Sequence, residues 1–87
     1  MAYKLRFKRS VARDLQQLAR RDQKRILAKI EKELVVRPEK HPGLKGEYAG
    51  LRRLRVGKFR VIYAILDDEV GVLRIGHRKE VYRRARF

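Results

Sequence analysis

Residues 51–77 read LRRLRVGKFRVIYAILDDEVGVLRIGH, and their period is two. Leu54 and Val56, then Phe59, Val61, Tyr63 and Ile65, alternate with other side chains, the pattern of strands with one buried face. Gly57-Lys58 interrupts the pattern as a two-residue hairpin turn, and the acidic triplet Asp67-Asp68-Glu69 forms the next turn, so that Val70 to His77 is the last strand. Three strands joined by such short turns form an antiparallel meander.

Upstream, Tyr3, Leu5 and Phe7 alternate with Lys4, Arg6 and Lys8, which predicts a first strand at about residues 2–8. Ser10 stands where a helix N-cap belongs, and Val11, Leu15 and Leu18 follow at helical spacing, with Ala12 and Ala19 beside them. Arg20-Arg21-Asp22 breaks that stripe. Asp22 is positioned to cap a second helix, with Ile26, Leu27, Ile30 and Leu34 on one face. Pro38, Pro42 and Gly43 end the helical run, and residues 37–50 read as a basic loop that contains Lys40, His41 and Lys45. The expected architecture is α+β: an N-terminal strand, a two-helix hairpin, then the three-stranded antiparallel meander with the helices packed on one face.

A chain of 87 residues has room for one hydrophobic core, so residues 1–87 are expected to be a single domain with no large buried cofactor. Its 25 Lys and Arg against 10 Asp and Glu give a formal charge of +15. A field of that strength calls for a polyanion, and nucleic acid is the first choice, because each neutralised phosphate releases counterions. An acidic protein or an anionic membrane surface are the rivals; an acidic partner would relieve the self-repulsion and stabilise the fold. The helical stripes are ordinary core stripes without a large aromatic face, which argues against the membrane. The chain has no cysteine, so disulfides and Cys-based zinc sites are excluded and a reducing, cytoplasmic setting is expected. The opening MAYKLRFKRS lacks the apolar run of a signal peptide or a membrane span.

The hairpin turn sorts the sheet. With Gly57-Lys58 at the tip, Val56 lies opposite Phe59 and Arg55 opposite Arg60. Leu54, Val56, Phe59, Val61 and Tyr63 then face the helices, and Arg53, Arg55 and Arg60 share the other face. A solvated outer face is the ordinary reading of such residues. Three guanidiniums gathered where a structural sheet would alternate signs read instead as a phosphate-binding site. Past the last strand, Gly76-His77-Arg78-Lys79-Glu80-Val81-Tyr82-Arg83-Arg84 adds cations, an imidazole and a tyrosine. That segment is either a frayed basic tail, with Tyr82 anchoring it to the body, or a set of RNA contacts in which Tyr82 stacks on a base.

Other chemistries have little support. Neither histidine has a second His or carboxylate at metal-ligand spacing, so no metal site is expected. Ser10 is the one serine and there is no threonine, which leaves nucleophilic catalysis without a clear candidate. No glycine-rich phosphate loop is present.

Leu44-Lys45-Gly46, the run from Leu51 to Tyr63 and the run from Gly76 to Tyr82 together resemble the RelE branch of the RelE/ParE toxin superfamily. The resemblance covers nearly the whole chain, and its specific part lies between Leu44 and Tyr82. It implies a RelE-like fold and a toxin of a type II toxin-antitoxin pair that enters the ribosomal A site and cleaves mRNA. The ribose 2′-hydroxyl attacks the neighbouring phosphate, leaving a cyclic phosphate and a 5′-hydroxyl, with no metal or other cofactor. It also implies an acidic antitoxin that wraps the basic surface. By position, Arg60 resembles the family's central phosphate-binding arginine, Arg78 the arginine after the last strand, and Tyr82 the tyrosine that stacks on substrate. Arg53 falls where the family often has a catalytic lysine, and Lys45 resembles a basic residue that meets RNA. Arg52, Arg55 and Lys58 are further RNA-binding candidates in the same segment.

One departure bears on mechanism: a second family lysine corresponds to Leu51, which removes a candidate for proton abstraction. Arginine stays protonated, so Arg53, Arg60 and Arg78 are expected to stabilise phosphate charge and not to act as bases. His77 has the side-chain type suited to acid-base work. Its face depends on strand register, since a shift of one residue reverses it. Two other functions remain open: a ParE-like inhibitor of DNA gyrase, and a non-catalytic RNA-binding or degenerate toxin.

Overall fold

The computed structural model describes residues 2–82. Strand β1 (Lys4–Phe7) leads into helices α1 (Ser10–Gln16) and α2 (Arg20–Leu34), and the meander follows as β2 (Arg52–Val56), β3 (Phe59–Leu66) and β4 (Glu69–His77). The α+β architecture expected from the sequence is present. In the sheet order β1-β4-β3-β2, the N-terminal strand lies beside the last one, parallel to it, with Leu5 opposite Val70 and Phe7 opposite Val72. Where β1 stops, α1 takes over: the Asp14 carboxylate accepts the backbone N–H of Ile75 at 3.0 Å, satisfying a donor beyond the reach of the short strand.

Both helices lie on one face. Val11 of α1 and Ile26, Ile30 and Leu34 of α2 are fully buried against Leu54, Val61, Tyr63 and Val72 of the sheet. Leu27, expected in the same stripe, is 37% exposed, because one residue on from Ile26 the helix has already turned away from the sheet.

The helix starts differ from the expectation. Arg9 already has helical dihedrals, so Ser10 falls inside the first turn of α1 and makes no capping bond. Ala19, in extended conformation, precedes α2, which begins at Arg20. Asp22 therefore sits in the first turn and contributes its charge to the positive helix end without acting as the cap.

The loop from α2 to β2 contains 3₁₀ turns at Pro38–Lys40 and Gly46–Tyr48. It is tied down by the core. The Tyr63 hydroxyl donates to the Pro38 carbonyl, and burial pushes its pKa up to about 12, so it stays a proton donor.

The Gly57-Lys58 turn pairs Val56 with Phe59 and Arg55 with Arg60, the register expected from the sequence. Gly57 has φ +58°, a conformation that glycine adopts without steric cost. Strand β4 holds an irregularity that alternation did not reveal. Tyr63 pairs with Val72 and Ile62 with Arg74, leaving Leu73 as an extra residue in a bulge. Beyond it every side chain of β4 is on the opposite face from the one simple alternation assigns. Ile75 and His77 turn toward the helices, and Arg74 and Gly76 toward the arginine face.

Candidate nucleic-acid interface

On the face away from the helices, β2 contributes Arg53 and Arg55 and β3 contributes Arg60 and Ile62. Ile62 is fully buried and Arg60 is only 7% exposed, so this face is covered and not freely solvated. The cover is a 3₁₀ turn at Glu80–Tyr82 that folds back onto the sheet. Gly76, opposite Arg60 in the ladder, makes room for it: a Cβ there would lie 3.7 Å from Val81, which is 1% exposed. Val81 anchors the turn on the sheet and brings Tyr82 over the arginine face. The basic segment after β4 is thus structured as far as Tyr82; Arg83 and Arg84 lie outside the described residues.

Arg60 is held by its own hairpin. One terminal nitrogen donates to the Phe59 carbonyl at 3.0 Å and to the Gly57 carbonyl at 3.2 Å. Burial lowers its pKa, and the neighbouring charges of Arg55, Arg53 and Arg78 lower it further, with Tyr82 opposing them. Among the described residues no carboxylate lines the cavity of about 480 Å³ above it, which is bounded by Arg55, Gly57, Lys58, Arg60, His77 and Arg78. The ion pairs Arg6–Glu69 and Asp22–Arg25 lie away from this cavity. A buried guanidinium beside other cations is costly unless an anion joins them.

Two further donors on this face are unspent. Arg53 Nε and the Tyr82 hydroxyl are both buried with no hydrogen-bond partner among the described residues. Native structures rarely leave such atoms unpaired, so each donor calls for a partner. Arg78, exposed past the end of β4, is fixed through its backbone, which donates to the Lys58 carbonyl at 3.0 Å. Arg53, Arg55, Arg60, Arg78, Lys58 and Tyr82 are therefore brought together around one concave, cationic surface.

Other residues singled out in the sequence are placed elsewhere. Arg52 pairs with Tyr63 and so lies on the face opposite Arg53. It donates to the carbonyls of His41 at 2.7 Å and Glu39 at 3.1 Å, tying the loop to β2. The bulge puts His77 opposite Phe59, with ring centroids 4.9 Å apart. His77 sits at the rim of the Arg60 cavity with its ring on the helix side. Lys45 is exposed just before the 3₁₀ turn that carries Tyr48.

Tyr48 escaped the sequence reading. Its ring lies 5.9 Å from that of Tyr82, tilted by 45°, and its hydroxyl donates to the Tyr82 carbonyl at 3.5 Å. Burial raises its pKa, with the adjacent Glu47 adding to the shift. A lone aromatic in a polar, glycine-rich loop was the available signal.

The arrangement is suited to a phosphodiester: several guanidinium and hydroxyl donors converge without a competing carboxylate among the described residues. Among the described residues no three His, Asp or Glu side chains are grouped to hold a metal ion, and no helix is long and apolar enough to cross a membrane.

A family model described as the ParE toxin of type II toxin-antitoxin systems, parDE, matches residues 5–82. The chain is similar to the toxin-antitoxin complex RelBE2 of Mycobacterium tuberculosis, with 31% identity and a TM-score of 0.84 over 90% of this chain and 93% of that one. It is also similar to the archaeal RelE–RelB complex of Pyrococcus horikoshii, with 31% identity and a TM-score of 0.64 over 90% and 97%. A chain of the ParDE system of Pseudomonas aeruginosa shares the fold at 21% identity, with a TM-score of 0.73 over 87% and 96%. No curated protein matched by sequence.

Proposed function

The chain belongs to the RelE/ParE superfamily, the toxins of type II toxin-antitoxin systems, and on that premise we propose that it is a metal-independent endoribonuclease that cleaves mRNA in the ribosomal A site. The observation that carries this reading is Arg60: a guanidinium 7% exposed, flanked by Arg53, Arg55 and Arg78, in a cavity that no carboxylate of the described residues lines. A role confined to stability would not gather like charges there.

In this reaction the ribose 2′-oxygen gives its proton to solvent and forms a bond to the adjacent phosphorus, and the P–O5′ bond breaks as the leaving 5′-oxygen takes a proton from solvent, giving a 2′,3′-cyclic phosphate and a 5′-hydroxyl. Arg60, with Arg53 and Arg78, stabilises the extra negative charge on the phosphorane oxygens. Arg55 and Lys58 hold flanking phosphates, and Lys45 meets the strand near Tyr48. Tyr82 stacks on a base. The arginines move no protons. His77 contacts substrate at the rim, its ring lying against Phe59 and not over Arg60. An acidic antitoxin covers the same face in the inactive complex, as the likeness to solved toxin-antitoxin complexes supports.

A second reading is inhibition of DNA gyrase, favoured by the ParE family match. One experiment separates them. Purified protein is incubated with mRNA programmed on ribosomes, with the same mRNA free, and with gyrase in a supercoiling assay, beside Arg60→Ala and Arg78→Ala. Cleavage restricted to the ribosome and lost in both variants supports the nuclease. Intact mRNA with blocked supercoiling moves the protein to the gyrase-directed class.

A further inference from the structure

The cationic surface does not end at the Arg60 cavity. Around the tip of the β2–β3 hairpin a second cleft, of about 510 Å³, opens between the start of α2 and the end of β4. It is lined by Arg21, Asp22, Arg25, Lys58, Phe59 and His77, and it shares Lys58 and His77 with the first cavity. The two therefore adjoin at the hairpin tip.

We propose that this cleft is a second phosphate subsite, in which Arg21, Arg25 and Lys58 hold a phosphodiester further along the RNA strand bound at Arg60, and the exposed His77 ring takes a base between them. The assignment rests on the reading of the arginine face as an RNA site, and it extends that site to the helix side of the sheet.

Several observations converge on it. The bulge at Leu73 sends His77 to this side, where its ring is backed by Phe59 at 4.9 Å. An exposed ring on a rigid aromatic support is a stacking platform for a base. Arg25 is laid along the hairpin tip: a Cβ on Gly57 would come 3.0 Å from its terminal nitrogen, so the glycine serves the guanidinium as well as the turn. Among the described residues three cations, Arg21, Arg25 and Lys58, line the cleft against one carboxylate, that of Asp22. That carboxylate lies 3.7 Å from Arg25, beyond hydrogen-bonding distance, and does not saturate its donors. Paired guanidiniums beside a stacking ring match alternating phosphates and bases better than an acidic peptide, whose carboxylates bring no ring to stack.

The test uses fluorescence anisotropy with 2′-O-methyl uridine oligonucleotides, which cannot be cleaved, in lengths of three and eight nucleotides. The proteins are the parent, Arg60→Gln, Arg21→Gln, and the Arg21→Gln/Arg25→Gln pair. The single variant at the exposed Arg21 guards against a folding defect from Arg25, which packs on the turn. Octamer affinity is expected to fall about tenfold at low salt in the double variant, and the slope of log K against log salt to shrink by about 1.4, with about half that change in Arg21→Gln. Trimer binding, which needs only the Arg60 cavity, is expected to be unchanged. If both Arg21 variants bind the octamer like the parent while Arg60→Gln weakens it, the subsite is overturned and the RNA site stands. If the parent fails to bind the octamer, or Arg60→Gln has no effect, the RNA site and the subsite both fall. Weakened binding of an eight-residue poly-glutamate peptide with unchanged octamer binding would overturn the subsite in favour of a protein partner.

Discussion

Arg55 and Arg60 stand directly opposite each other in the β2–β3 ladder, two guanidiniums in a cross-strand position where like charges destabilise the pairing. Their repulsion is a local cost to the fold, and Arg60 bears it while 7% exposed. Changing Arg55→Glu converts the pair to an attractive one. The variant is expected to gain up to about 1 kcal/mol, seen as a rise of a few degrees in Tm by calorimetry. Cleavage of ribosome-bound mRNA is expected to drop sharply in the same protein, because the new carboxylate competes with phosphate for Arg60. A variant that is both more stable and fully active would separate the charge cluster from function.

His77→Ala tests the consequence of the bulge. With its ring against Phe59 and on the helix side, His77 is expected to affect substrate binding more than the chemical step. Single-turnover cleavage at saturating ribosome concentration should stay within a few-fold of the parent, while half-saturation moves to higher concentration. A large loss in the saturated rate would instead assign His77 to proton transfer.

Val81 connects stability to the site. It is 1% exposed and seats the last 3₁₀ turn over Gly76. Val81→Ala is expected to cost about 2 kcal/mol through lost burial and the cavity left behind. It is also expected to lower cleavage, because Tyr82 follows Val81 in the same turn. Ile26→Val, a destabilising change on the helix side, serves as the control and should leave cleavage unchanged well below its Tm.

His41 supplies a pH dependence. Burial lowers its pKa below the ordinary value near 6.5; Glu33 opposes the shift, and Lys40, Lys29 and Arg52 add to it. Its Nε2 is buried with no partner among the described residues. The unfolded chain therefore binds this proton at a higher pH than the folded one. The associated stability is complete above the unfolded pKa and is lost as pH falls through the folded one. Thermal unfolding followed from pH 7.5 to 5 should show a falling Tm, and His41→Gln should flatten the fall.

Much of the candidate site's layout was legible in the sequence. Strand alternation and the two-residue turn at Gly57-Lys58 are local, so the faces of Leu54 and Arg53 and the pairing of Arg55 with Arg60 followed from spacing. The helix starts were less legible, because Ser10 and Asp22 compete with backbone conformations set by Arg9 and Ala19, and neither side chain makes the capping bond.

What the amino-acid order determined alone was whatever depends on neighbours a few positions apart: the meander, its tight turn, the charge and the clustering of arginines on one face. Tertiary structure decided what depends on residues far apart in the chain. It placed β1 parallel to β4, inserted the bulge at Leu73 that moves His77 to the helix side, and set Tyr48 against Tyr82 across a separation of 34 residues. It also buried Arg60 beneath a returning turn that Gly76 admits. Packing chooses among registers that local pattern leaves equal in energy, and a single extra residue in one strand reverses every side chain beyond it.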